Sequence, residues 1–149
     1  MSIIGLVILA FAVLFIFIFN DMILKRNVVE SAYAAVRGLL KMRCDFLDTL
    51  SPDDGNAQAM QEVAAAMRKA DIARQIELDS QLTALTTEYL AEKSEATELA
   101  ELEEKLIDAR SMYNSAVNSF NRAAAVHPGK LVAKLRKWSP YPEWQEPAQ

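Results

Sequence analysis

One histidine, one cysteine, four glycines and five prolines are scattered through 149 residues, and each scarcity excludes something. Cys44 alone cannot form an intramolecular disulfide, and a lone thiol fits a reducing compartment. His127 alone, beside a proline, has no visible partner for acid–base or metal chemistry. With so little Gly there is no phosphate-cradling loop, and no Glu-x-x-His pair of the kind that holds two metals in a bundle. A formal charge of -4 leaves no broad basic face, so nucleic acid is not an expected partner. The expectation is a chain that is not an enzyme, with no cofactor, no metal and no catalytic residue.

What is abundant is Ala, Leu, Glu, Lys and Arg, the composition of long helices. Much of the apolar content lies in one run, IIGLVILAFAVLFIFIF, from Ile3 to Phe19. As a helix it spans roughly 26 Å, slightly short of a hydrocarbon core, and Lys25 and Arg26 can snorkel back to the interface. No Lys or Arg precedes the run, and no small-residue cleavage site follows it, so residues 1–22 read as a signal-anchor and residues 3–19 as its bilayer contact. Lys25, Arg26, Arg37, Lys41 and Arg43 all follow the run. Positive charge stays inside, which predicts a single-pass protein with its amino terminus outside and its bulk in the cytoplasm.

Residues 23–138 read as an elongated helical bundle. A first helix, about 23–50, carries Leu24, Val28, Ala32, Val36, Leu39, Arg43, Leu47 and Leu50 at three- and four-residue steps. Gly38 inside it marks a close approach of another helix or is simply tolerated. SPDDGN, residues 51–56, is a turn. A second helix, about 57–91, has the stripe Met60, Val63, Met67, Ala70, Arg74, Leu78, Leu82, Leu85 and Tyr89. Ser94 and Thr97 can cap a third helix, about 95–126, with Glu95, Glu98 and Glu101 at its positive end. Its stripe runs Leu99, Leu102, Leu106, Ala109, Tyr113, Val117, Phe120, Ala124, and His127-Pro128-Gly129 stops it. A short basic helix, 130–138, is expected to turn Leu131, Leu135 and Trp138 to its apolar side. The tail, residues 139–149, with Pro140, Pro142 and Pro147, should be extended or loosely ordered.

Short loops make neighbouring helices antiparallel. With three long helices running out, back and out, the basic helix falls at the end far from the membrane, and contact with that membrane is disfavoured.

Two groups stand out. SMYNSAVNSFN sets Tyr113-Asn114 and Phe120-Asn121 seven residues apart, with Asn118 between them and Arg110 one turn earlier. Amides beside a heptad seam usually fix helix register, so Arg110, Tyr113, Asn114, Asn118, Phe120 and Asn121 are read first as register residues and second as a recognition surface. Lys130, Lys134, Arg136, Lys137 and Trp138, with Tyr141 and Trp144, form the most suggestive exposed basic and aromatic patch.

FND…KRNVVESAYAAV…LL..RCDFLDTL and LEEKLIDARSMYNSAVNSFNRAAAVHPGKLVAKL resemble the opening and closing segments of the LemA family. The second match falls on Glu103, Ile107, Ala109, Arg110, Tyr113, Asn114, Ala116, Val117, Phe120, Asn121, Pro128, Leu131, Val132 and Ala133. Asp48 stands where the family usually has Pro, and Phe120 where it has a second Tyr. The resemblance implies an all-α, LemA-like protein of a bacterial inner membrane: an N-terminal transmembrane helix, then an antiparallel three- to four-helix bundle. It implies no catalytic residues. The functional expectation is a membrane-anchored scaffold or adaptor that self-associates as a homo-oligomer or recruits an unidentified membrane protein. The alternative is an accessory subunit of a membrane protease or envelope-stress complex.

Overall fold

The computed structural model describes residues 2–53, 55–93 and 96–144. Among these the chain is all helix and connector, with no strand. The first helix, α1, runs unbroken over Ile3–Leu47. No proline or glycine pair interrupts it, and Asp21 and Lys25 pair at 2.6 Å one turn apart just past the apolar run. Its first part suits a single-pass anchor: its most apolar 18-residue window has a mean hydropathy of 3.0 and none of it is buried. From Met22 onward the same helix enters the bundle, burying Val29, Val36, Leu40, Arg43, Cys44 and Leu47.

That face lies beside the expected one near the anchor. Leu24 and Val28 are exposed, while Met22, Val29, Val36 and Arg43 repeat every seven residues on the inner side. Gly38 faces open space among the described residues, with nothing within 4 Å of where a Cβ would stand, so none of the described helices approaches it.

Gly55, at a φ of 59°, takes the left-handed turn after α1 at low steric cost. Asp54 of the SPDDGN turn lies outside the described residues. The expected second helix is in fact two, α2 over Ala57–Met67 and α3 over Ile72–Glu92. Asp71 makes the break: its side chain accepts from the Arg74 N–H at 2.9 Å and starts a new helix. Gln75 then reaches back to the orphaned Ala70 carbonyl at 3.1 Å, and Tyr33 donates to its Oε1 at 2.8 Å. The break also rephases the stripe. Arg74 sits outside, paired with Glu77, while Gln75 and Asp79 turn inward.

An extra helix reverses every direction after it. Gln61 on the Leu47 carbonyl, and then Ala64 with its carbonyl beside the Cys44 sulfur, set α2 back along α1. The partners of Tyr33 and Arg43, Gln75 and Asp79, set α3 running outward again. The fourth helix, α4 over Thr97–Ala125, therefore returns, with Glu103 opposite Arg43 and Tyr113 opposite Tyr33. Its buried face holds Leu99, Leu102, Leu106, Tyr113, Val117 and Phe120, as its stripe predicts. Of the expected caps, Ser94 and Glu95 lie outside the described residues, and Thr97 is the first residue of the helix rather than its cap.

The last helix, α5 over Gly129–Leu135, is consequently at the anchor's end of the bundle and not at the far end. Gly129 is wedged so closely on the Ala123 carbonyl that a Cβ would overlap it, and its other neighbour is the Met22 sulfur. Val132 and Ala133 are buried, whereas Leu131 and Leu135 are exposed, opposite to the expected sidedness. The helix closes with Trp138 N–H on the Ala133 carbonyl at 2.9 Å and Lys137 N–H on the Lys134 carbonyl at 3.2 Å. This leaves Lys137 at a φ of 53°, where glycine is the usual occupant.

Candidate functional site

α4 presents its amides on the flank of the buried stripe, and the tail lies against that flank. Asn114 Nδ2 donates to the Trp144 carbonyl at 2.7 Å, and Asn114 Oδ1 accepts the Trp144 N–H at 2.7 Å. Asn121 holds Tyr141 in the same way, at 2.9 and 3.0 Å. Each amide thus reads the donor and acceptor of one residue of an extended segment. The spacing makes this feasible. Seven residues of helix rise about 10.5 Å, and three residues of a proline-constrained extended chain rise about 9 to 10 Å. The tail runs antiparallel to α4 in this grip.

The aromatics beside each Asn form the pockets. Tyr113 donates its hydroxyl to the Pro142 carbonyl at 2.9 Å and meets the Trp144 ring edge-on at 5.7 Å. Phe120 meets Tyr141 edge-on at 5.3 Å and Trp138 at 6.0 Å. Phe120 offers no hydroxyl, and Tyr141 finds its polar contacts elsewhere. Its hydroxyl donates to Glu30 at 2.6 Å and accepts from Arg26 at 3.2 Å. Burial, and then the Glu30 bond, push the Tyr141 phenol above its ordinary pKa; burial does the same to Tyr113.

Trp144 is 3 % exposed and ends the described tail inside the bundle. Its indole N–H donates to Asp79 Oδ2 at 2.5 Å, which joins the grip to a buried ion network. Asp79 Oδ1 accepts from Arg43 Nη2 and, at 2.8 Å, from Arg110 Nη2. Arg110 Nε stands 2.8 Å from Asp79 Oδ2 as a charge contact without hydrogen-bond alignment. Arg43 Nη1 donates to Glu103 at 2.7 Å. Two guanidinium groups thus face two carboxylates. Burial works against the Arg43 charge, but Asp79 and Glu103 outweigh it and raise its pKa.

The amides therefore bond the tail, where the register reading expected them to bond a neighbouring helix. Asn118 is not part of the grip; it is exposed beside Ser115, Ser119 and Arg122. Arg110, Tyr113 and Phe120 are buried and belong to the site. Lys130, Lys134, Arg136 and Lys137 are exposed as expected, but Trp138 and Tyr141 are half-buried and Trp144 is enclosed. Sequence reasoning missed Asp79, Gln75 and Glu30. It placed Arg43 in the first stripe without naming a partner, although a cation at a core position in each of α1 and α4 signals a shared buried anion.

Burial raises the Cys44 thiol above its ordinary pKa, so it is less of a nucleophile than a free cysteine. Among the described residues no three His, Cys, Asp or Glu side chains are grouped to hold a metal ion. The arrangement is a peptide grip over a charge-balanced core.

The model of the LemA family matches residues 32–149, which covers α2 to α5, the tail and α1 from Ala32 onward. No curated protein and no solved structure matches the chain.

Proposed function

The chain belongs to the LemA family, and we propose that it is a non-enzymatic, membrane-anchored scaffold or adaptor that works by gripping an extended peptide segment. The observation that carries this reading is the paired backbone recognition by Asn114 and Asn121. Such bonds supply affinity for any extended chain in register, and side-chain pockets supply the choice. Here the pockets select an aromatic at each gripped position, Tyr141 and Trp144. The chain's own tail fills the grip, and a second copy's tail has the same chemistry. Exchange of an identical element is a low-cost route to self-association. The apolar half of α1 anchors the scaffold, and the cations after it favour a cytoplasmic bundle.

Co-expression of two differently tagged full-length copies, followed by purification in mild detergent, tests the reading. The copies are expected to co-purify, and excess synthetic SPYPEWQEPAQ is expected to separate them. Absence of the second copy, with one other membrane protein recovered in fixed ratio, favours the accessory-subunit alternative. For orientation, a cysteine at exposed Ser111 in a Cys44→Ala background replaces Cys44 itself, whose thiol is buried. Labelling of Ser111→Cys by an impermeant reagent on intact cells would overturn the cytoplasmic assignment.

A further inference from the structure

The exposed side of α5 combines lysines with leucines. Lys130, Leu131, Lys134 and Leu135 share one face of the helix, opposite buried Gly129, Val132 and Ala133. Leu131 is 48 % and Leu135 64 % exposed, and Val126, in the connector before α5, is 61 % exposed. Lys25, Arg68 and Arg74 each pair with a nearby carboxylate. Lys130, Lys134 and Lys137 have no carboxylate partner among the described residues.

The depth of this face is fixed by contacts with α1. Ile18 and Phe19, the last residues of the apolar run, pack against the bundle core, and Met22 is buried beside Gly129. Arg136 lies over the Phe19 ring at 5.7 Å and over Trp138 at 5.7 Å, with Arg26 over the same Trp at 5.3 Å. The basic helix is therefore held level with the point where the anchor leaves the hydrocarbon. Lys137 adds a second sign. It keeps a charged side chain in a left-handed conformation that glycine would adopt with less strain.

We propose that the exposed face of α5, with Lys130, Leu131, Lys134 and Leu135, docks on the anionic headgroup region of the leaflet beside the anchor. Leu131 and Leu135 enter the headgroup–acyl boundary, and Lys130, Lys134 and Lys137 meet lipid phosphates. Apolar side chains flanked by cations at interfacial depth are what such a surface requires. Each cation held at an anionic surface contributes about a fivefold bias towards the docked state. This surface is separate from the tail grip but rests on the anchored reading of α1.

The test uses the full chain in lipid nanodiscs with an environment-sensitive fluorophore on Leu135→Cys or, as an anchor control, on Ile8→Cys, both in a Cys44→Ala background. Discs of phosphatidylcholine alone are compared with discs that also contain phosphatidylglycerol. The proposal expects the Leu135 label to shift to the blue and to lose iodide quenching several-fold in the anionic discs. Inorganic phosphate added to phosphatidylcholine discs should leave it unchanged. Changing Lys130, Lys134 and Lys137 to Gln should abolish the difference between the two lipids. A Leu135 label that stays water-exposed in anionic discs, while the Ile8 label reports lipid, overturns the docking and leaves the anchor standing. Both labels in water overturn the anchor as well. Protection that depends on the number of copies per disc, and not on lipid charge, makes the face a contact between copies and also overturns the proposal.

Discussion

Asp79 joins both buried guanidinium groups and an indole N–H in one network. It accepts from Arg43, Arg110 and Trp144 at 2 % exposure, and Glu103 supplies the second balancing charge. Asp79→Asn leaves two buried guanidinium groups against one carboxylate, and it is expected to cost roughly 3 to 5 kcal/mol. Thermal unfolding of the full chain in detergent would register this as a large drop in midpoint; an unchanged midpoint would mean that the network is not closed to water. Tyr113 gives a pH prediction. Its phenol is held above its ordinary pKa, chiefly by burial and then by Tyr33, Tyr141 and Glu30. The folded state therefore keeps the proton more tightly than the unfolded chain. This contribution is complete below the unfolded value, about pH 10, and is lost as pH rises towards the folded value. Stability should hold to about pH 10 and then fall, and Tyr113→Phe should fall less steeply. A chain whose stability rises above pH 10 would contradict that burial.

At the scale of elements, two glycines in or beside helices should respond to the same substitution with opposite signs. Gly38 has nothing within 4 Å of its missing Cβ, so Gly38→Ala should stabilise by roughly 0.5 to 1 kcal/mol through helix propensity. Gly129 abuts the Ala123 carbonyl and the Met22 sulfur, so Gly129→Ala should push α5 off α1 and α4 and destabilise the chain. Melting midpoints decide both, and a loss at Gly38 would mean that something packs there outside this chain. The break between α2 and α3 has the largest consequence of any connector. Asp71 caps α3, but ADIA sits within continuous helical periodicity, and only the Gln75 and Tyr33 bonds show why the helix stops there. Missing it inverted the direction of everything that follows, including the place of α5.

For the whole molecule, the long apolar N-terminal helix, the helical class and the α4 stripe were legible because each is a long, continuous signal. The grip was half legible: the Tyr-Asn and Phe-Asn repeat announced itself, but its partner did not, because a proline-rich tail has no periodicity to align with a helix. The match of seven helical residues to three extended ones was present in PYPEW all along. The buried network was hidden for a different reason, since Asp79 becomes interior only once the break sets the phase of α3. The central claim is that Asn114 and Asn121 hold the tail. Hydrogen exchange of the Tyr141 and Trp144 amides in the full chain measures it most directly, because both N–H groups donate to those side chains. In an Asn114→Leu, Asn121→Leu double variant the account predicts that protection at both amides is lost while protection along α4 remains. Retained protection at Tyr141 and Trp144 would contradict it.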